Sequence, residues 1–147
     1  MSGAFVDLAN ARKGIYKKVI SRILSTGKCP FCPEYFKYHK KPIFKESGDW
    51  FLTENSWPYK NAKTHLIIIG KKHREEFSDL TKKDLEAIAY LTRWAIKKYR
   101  IKGGGFVMRF GDTRFTGASV SHMHCHIISP KINKKTGRAR TVSFPIG

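Results

Sequence analysis

The chain of 147 residues contains no long apolar run. Its longest are short, such as "LIII" at 66–69, against the ~20 apolar residues a membrane-spanning helix needs. No transmembrane segment and no membrane partner are therefore expected. The opening "MSGAFVDLANARK" lacks a basic start followed by a long apolar stretch, so no signal peptide is predicted and the cytoplasm is the default compartment. Cysteine is scarce: Cys29, Cys32 and Cys125. An odd count without a signal peptide argues against a disulfide framework. Acidic residues are also scarce, 11 against 29 Lys and Arg, for a net charge of +18. That imbalance points to a polyanionic partner, either nucleic acid or a nucleotide with several phosphates. The competing explanation is a solvated, self-repelling surface, because the lysines run from Lys13 to Lys135 without one patch.

What is present describes one globular domain, with 41% hydrophobic residues and no repeat or low-complexity tract. Residues 7–26 carry Leu8, Ala11, Ile15, Val19 and Ile23 at helical spacing, with Asp7 as N-cap and Gly27 as terminator. Residues 42–46 and 49–55 read as two strands around a "SGD" turn, and 64–69 as a short apolar strand closed by Gly70. The clearest helix lies in 78–101, where Thr81 and Asp84 form a capping-box pattern. Its predicted inner face is Leu85, Ile88, Thr92, Ala95 and Tyr99. "GGG" at 103–105 reads as the helix exit rather than a phosphate loop, since no helix follows it. Strands at 106–110 and 122–129 flank a loop, and a basic, partly mobile tail of 131–147 follows. Strands and helices mix without a βαβ rhythm, which predicts an α+β fold with an antiparallel sheet.

The informative stretch is "SVSHMHCHIISP", 119–130. Side chains alternate along a strand, so His122, His124 and His126 share one face while Met123, Cys125 and Ile127 share the other. The second set can bury in a core. Three imidazoles in register admit two readings: a metal site, or nucleophilic catalysis by a neutral imidazole, which is a competent nucleophile near pH 7. Attack on phosphorus would give a phosphoramidate-type intermediate that water can open. Cys29 and Cys32 in "CPFC" have a spacing suited to zinc or to a redox pair. His39 reads as a surface residue and Cys125 as a buried small one.

"HMHCHII" resembles the signature of the histidine triad (HIT) family, His-φ-His-φ-His-φ-φ with φ apolar. "NAKTHLIIIGKKH" (61–73) and "GASVSHMHCH" (117–126) are similar to further family segments, and "CPFC" resembles the zinc-bearing subset. The resemblance covers roughly residues 29–130. It leaves 1–28 as an N-terminal helical extension and 131–147 as a tail, all within a single HIT-like domain of 1–147. It implies an antiparallel sheet of about five strands with a long helix packed on it. It also implies nucleotide hydrolysis at the α-phosphorus through a nucleotidyl-histidine, releasing a nucleoside monophosphate from a dinucleoside polyphosphate or a nucleoside phosphoramidate. His124 is the implied nucleophile, and His126 the contact to the scissile phosphate. Ser119 binds a phosphate oxygen or the leaving group, and His65 is the fourth active-site histidine. Cys29, Cys32, His73 and His122 are the implied ligands of a structural zinc, with His65 as the alternative to His73; no catalytic metal is required. His126 is retained where transferase branches carry glutamine, which favours hydrolysis. A homodimer is also implied.

The pattern departs in places. Asn55 is the candidate ribose contact, at a spacing about two residues longer than usual. Arg109 stands near a position that is asparagine in many relatives; it can serve a polyphosphate through its planar fork or pair with Asp112. Trp57 or Phe51 can flank a base, although an aromatic on a strand is more often core. The triad also resembles that of aprataxin, which removes adenylate from DNA ends, and the charge of +18 suits such a nucleic-acid partner. Further alternatives are a nucleotide-binding protein without meaningful turnover and a hydrolase whose triad itself holds zinc.

Overall fold

The computed structural model describes residues 4–147. Five strands form one antiparallel sheet: β1 Ile43–Ser47, β2 Trp50–Glu54, β3 Ala62–Gly70, β4 Gly105–Met108 and β5 His124–Pro130, in the order β1-β2-β3-β5-β4. Three α-helices accompany them: α1 Ile15–Thr26, α2 Lys82–Lys98 and the short α3 Thr113–Thr116. This is the α+β antiparallel architecture the pattern predicts.

The sheet has two unlike faces. On one, Trp50, Leu52, Leu66, Ile68, Met123, Cys125 and Ile127 pack against Ala87, Ile88, Leu91 and Ala95 of α2 and form the main core. On the other, Phe51, Ile67 and Ile69 pack with Phe31 and Phe36. In β3 and β5 the register pairs Ile69 with His124, Ile67 with His126 and His65 with Ile128. Cross-strand partners share a face, so His65, His124 and His126 stand together on the side away from α2. Cys125 is fully buried on the far face, as the alternation requires.

The helices are shorter than the periodicity suggests. Asp7 does cap, accepting from the Ala9 N–H at 3.0 Å, but what it caps is the 3-10 turn Leu8–Asn10. The α-helix begins only after Gly14, whose φ of 86° breaks the run. The reason is tertiary. Residues 5–10 bond to the approach to the triad: Asp7 N–H donates to Ser119 O (2.9 Å), Ser121 N–H to Phe5 O (2.8 Å), and Asn10 Nδ2 to Thr113 O (2.8 Å) and Ala118 O (2.9 Å). Ile15 lies outside the apolar face of α1, which is built instead on Ile20 and Ile23. Gly27 ends the helix in the left-handed conformation, as predicted.

In α2 the capping box of Thr81 and Asp84 is present. The buried stripe is Asp84, Ala87, Ile88, Leu91 and Ala95 rather than one starting at Leu85, which is exposed. The stripe shifts because Asp84 turns inward to bond Trp50 and Arg74. The glycines at 103–105 lie beyond the helix end. A Cβ on Gly104 would run into the Ile128 carbonyl, so glycine there allows the chain to enter β4 close against β5. The segment between β4 and the triad holds α3, which Gly117 ends at a φ of 71°.

Residues 131–147 do not hang free. A bridge between Ile132 and Ala139 and a bond from Arg140 N–H to Lys131 O (2.8 Å) fold the chain back on itself. Asn61 Nδ2 then ties Thr141 O (2.9 Å), and residues 144–147 return to the histidine face of the sheet. The partly mobile tail expected from composition is replaced by this return path, because an aromatic, Phe144, finds a buried imidazole and an arginine to pack on.

Candidate active site and metal centre

Of the three imidazoles facing away from α2, His65 and His126 are joined by a directional set of hydrogen bonds. The Tyr59 backbone N–H donates to His65 Nδ1 (3.1 Å). Neutral His65 therefore carries its proton on Nε2, which donates to His126 Nδ1 (2.9 Å). His126 in turn carries its proton on Nε2. That N–H is buried and has no partner among the described residues. His124 is oriented separately: its Nδ1–H donates to the His122 carbonyl (2.7 Å), which leaves Nε2 with a free lone pair. The His124 and His126 rings are 5.0 Å apart, and both line one cleft. A nucleophilic nitrogen and an unsatisfied donor thus sit side by side.

Electrostatics keep these rings neutral. Burial pushes His124 down to about 4, with the Arg109 charge adding to the effect and the bond to His122 opposing it. Burial likewise takes His65 to about 4, assisted by Arg12. His126 is lowered by burial and by its charged and imidazole neighbours. At pH 7 all three are free bases, the form in which an imidazole can attack.

The rest of the cleft comes from both ends of the chain. Val19, Ile20 and Ile23 of α1 and Phe31 supply an apolar wall, with Phe31 edge-on to His124 at 5.0 Å. Ser119 lines the cleft and is bonded to the Tyr16 hydroxyl. Asn55 also lines it; its Oδ1 accepts from Trp57 N–H (2.7 Å), and its Nδ2 lies 3.1 Å from His65 Nε2. Both of those nitrogens are donors in the scheme above, so the Asn55 amide keeps a donor uncommitted. Arg109 does not pair with Asp112, which is held instead by Arg114. Arg109 Nε donates to Pro145 O (3.1 Å), and its guanidinium lies 4.0 Å over the Phe144 ring. Phe51 belongs to the core and not to the cleft, whereas Trp57 lines it. His39 is not a plain surface residue: it stacks on Phe36 and bonds Thr53 Oγ1 (2.7 Å) and Ser56.

Cys29, Cys32, His73 and His122 converge at the edge of this site, with one ligand atom from each lying within 4.8 Å of the others. His122 Nε2–H donates to Gly70 O (2.6 Å), and His73 Nε2–H to Glu75 (3.0 Å). Both Nδ1 atoms therefore present lone pairs, and they face each other at 3.1 Å. Two acceptors at that distance repel unless a cation lies between them. Cys29 Sγ is 3.3 Å from His122 Nδ1, and Cys32 Sγ is 3.5 Å from His73 Nδ1. A tetrahedral zinc with Zn–N of about 2.0–2.1 Å and Zn–S of about 2.3 Å has ligand edges of roughly 3.3–3.8 Å. The donor set fits such an ion, and it includes His73 rather than His65, whose nitrogens are both engaged elsewhere.

The HIT domain model matches residues 43–133. The chain belongs to the HIT family. An uncharacterized HIT-like protein of Mycoplasma genitalium is 33% identical over 78 residues, 52% of this chain and 55% of that protein. The chain thus spans about half the length of that curated relative. Among solved structures, a zinc-bound histidine triad family protein from Mycobacterium smegmatis is similar with a TM-score of 0.55 and 17% identity, over 78% of this chain and 83% of that one. The diadenosine triphosphate hydrolase of Plasmodium falciparum, solved with cyclomarin A, is similar with a TM-score of 0.52 and 21% identity, over 62% of each chain. At these identities the structural likeness is one of fold.

The HIT match begins at residue 43, so Cys29, Cys32 and all of α1 lie outside it. Arg12, Tyr16, Tyr59 and Phe144 also stand at the cleft or on its histidines, and reading the sequence did not single them out. Nothing local marks them, because long-range bonds bring each one in.

Proposed function

We propose that this HIT protein is a nucleotide hydrolase that cleaves at the α-phosphorus through a nucleotidyl-histidine. The observation that carries the reading is the bond sequence from Tyr59 N–H through His65 to His126, ending in a buried N–H that has no partner among the described residues, beside the free Nε2 of His124. A phosphate oxygen on that N–H would satisfy it and place phosphorus against His124. His124 Nε2 then bonds to phosphorus, and the bond from phosphorus to the leaving group breaks with its electron pair going to the leaving group. Water next attacks phosphorus, the P–N bond breaks, and the nucleoside monophosphate departs with His124 restored. Ser119 and Asn55 supply further donors along the cleft. Burial excludes bulk water and strengthens each of these bonds.

Zinc on Cys29, Cys32, His73 and His122 takes a structural part in this reading. Four protein ligands leave it no open position for substrate. Its ligand His122 presents the carbonyl that orients His124. A homodimer belongs to the same reading, supported by the free edge of β4 and the exposed Phe106 upon it. Substrates of the cytoplasm are the natural pool.

A second reading, removal of adenylate from nucleic-acid ends, is favoured by the net charge of +18. One assay separates the two. Diadenosine tetraphosphate, an adenosine phosphoramidate and adenylated nicked DNA are offered in parallel at pH 7. Release of AMP from a small nucleotide, lost in His124→Ala, is the expected result. Release only from the nicked DNA, with a steep salt dependence, moves the assignment to the second reading. No release from any, by folded protein, removes the hydrolase reading in favour of nucleotide binding without turnover.

A further inference from the structure

The cleft beyond the histidines carries a charge arrangement that hydrolysis at one phosphorus does not explain. Arg12 and Arg109 are far apart in sequence, yet both engage Tyr59. The Arg12 guanidinium lies 4.7 Å over the Tyr59 ring, and Arg109 Nη2 donates to the Tyr59 hydroxyl at 3.5 Å. Arg12 also covers Tyr16 at 5.0 Å and donates to Trp57 O at 2.6 Å. The Tyr59 ring stacks on His126 at 6.1 Å, so the pair is built onto the catalytic row itself. Neither guanidinium has a carboxylate partner among the described residues. No Asp or Glu lines the cleft. Arg12 and Arg109 are bonded instead to neutral carbonyls, of Trp57 and Pro145.

We propose that Arg12 and Arg109 form a paired guanidinium clamp for the phosphates beyond the scissile one, so that the preferred substrate is a nucleotide with a polyphosphate leaving group rather than a phosphoramidate. The inference rests on the hydrolase reading for its placement next to the scissile phosphorus. Two guanidiniums at one cleft, neither ion-paired among the described residues and Arg12 exposed to solvent, favour a polyanion. A phosphate oxygen adds a full negative charge, and the chance of a bidentate pair, that a neutral carbonyl lacks, so a phosphate chain displaces Trp57 O and Pro145 O. The planar fork of arginine suits bidentate phosphate contact. When the bond from the α-phosphorus to the bridging oxygen breaks, negative charge develops on a polyphosphate, and the clamp stabilises it. A departing amine gains nothing from the same charges. Aromatic packing on Tyr16, Tyr59 and Phe144 holds both guanidiniums in place before a ligand arrives.

The test is a binding series on the full chain with AMP, α,β-methylene-ADP and α,β-methylene-ATP, whose α-phosphorus bridge resists cleavage. Calorimetry on the wild type should show affinity rising along the series, by tenfold or more in total, about 1.4 kcal/mol. Arg12→Ala should remove most of that rise while AMP binding stays within about threefold, and Arg12→Lys should restore part of it, because it keeps the charge and loses the fork. A flat wild-type series overturns the clamp, as does an Arg12→Ala variant that weakens AMP and the ATP analogue equally. Turnover of diadenosine tetraphosphate and of the phosphoramidate is measured beside it. A rising series that Arg12→Ala flattens, with no turnover of either substrate, keeps the clamp and removes the hydrolase reading. Turnover that needs His124 with a flat series does the reverse.

Discussion

At the scale of single residues, the site works through which nitrogen carries the proton. His65 touches no reacting atom in the proposed chemistry. It is a positioning residue that sets the His126 tautomer through its Nε2–H. His65→Ala should lower kcat by roughly 10²-fold, with a smaller change in KM, the pattern of a lost transition-state donor. Nitrogen NMR should show the His126 proton distributed between Nδ1 and Nε2 in the variant and held on Nε2 in the wild type. A purely structural role for His65 would leave that tautomer unchanged. His124→Ala should lose at least ~10³-fold in AMP release and remain folded, since the proposed nucleophile is gone. The histidines were legible in the sequence because alternation along a strand is local. Their proton order was not legible, because it starts at the Tyr59 N–H, in a loop that no pattern of residues marks.

At the scale of elements, Asp84 links α2 to the triad strand. Its carboxylate accepts from Arg74 through two bonds of 2.8 Å, from Trp50 Nε1 at 2.9 Å and from Thr81 N–H at 2.7 Å. The Arg74 carbonyl in turn accepts from Met123 N–H at 2.7 Å, just before β5. Asp84→Ala leaves a largely buried guanidinium and a buried indole N–H without their carboxylate and removes the helix cap, which should cost about 3 kcal/mol in denaturant unfolding. The Arg74 bonds hold the Asp84 carboxyl well below the usual carboxylate range. Its folded value lies below its unfolded one, so its contribution to stability is complete above the unfolded value of about 3.9 and is lost as pH falls toward the folded one. Wild-type stability should therefore decline below about pH 4 more steeply than that of Asp84→Asn. The capping box was readable from Thr81 and Asp84 alone. That the aspartate also turns inward was not, because Arg74 and Trp50 reach it only in the folded chain. The candidate metal ligands join elements too: Cys29 and Cys32 follow α1, His73 follows β3 and His122 precedes β5. Chelation should lower Tm reversibly, and turnover should fall with it rather than vanish at once, as would happen if the metal held substrate.

At the scale of the whole molecule, residues 5–26 and 144–147 close over a sheet of ordinary HIT topology. Phe144 lies 4.9 Å from the His126 ring, and the Pro145 carbonyl holds Arg109. Deleting residues 143–147 should raise the reaction of His126 with diethyl pyrocarbonate, read by peptide mass, while the circular dichroism of the fold is retained. Unchanged protection would show that the tail does not cover that ring. The periodicities were sufficient for the sheet, for α2 and for the shared face of the triad, since each depends on neighbours a few residues apart. "CPFC" and three alternating histidines likewise marked four Cys and His side chains that converge and a shared imidazole face, because ligand and nucleophile chemistry restricts residue type. The true start of α1, the return of the tail, the convergence of His73 rather than His65 with Cys29, Cys32 and His122, and the approach of both Arg12 and Arg109 to Tyr59 were decided only by folding. Each depends on contacts between segments distant in sequence, such as Asn10 with Ala118, and such contacts leave no period in the chain that makes them.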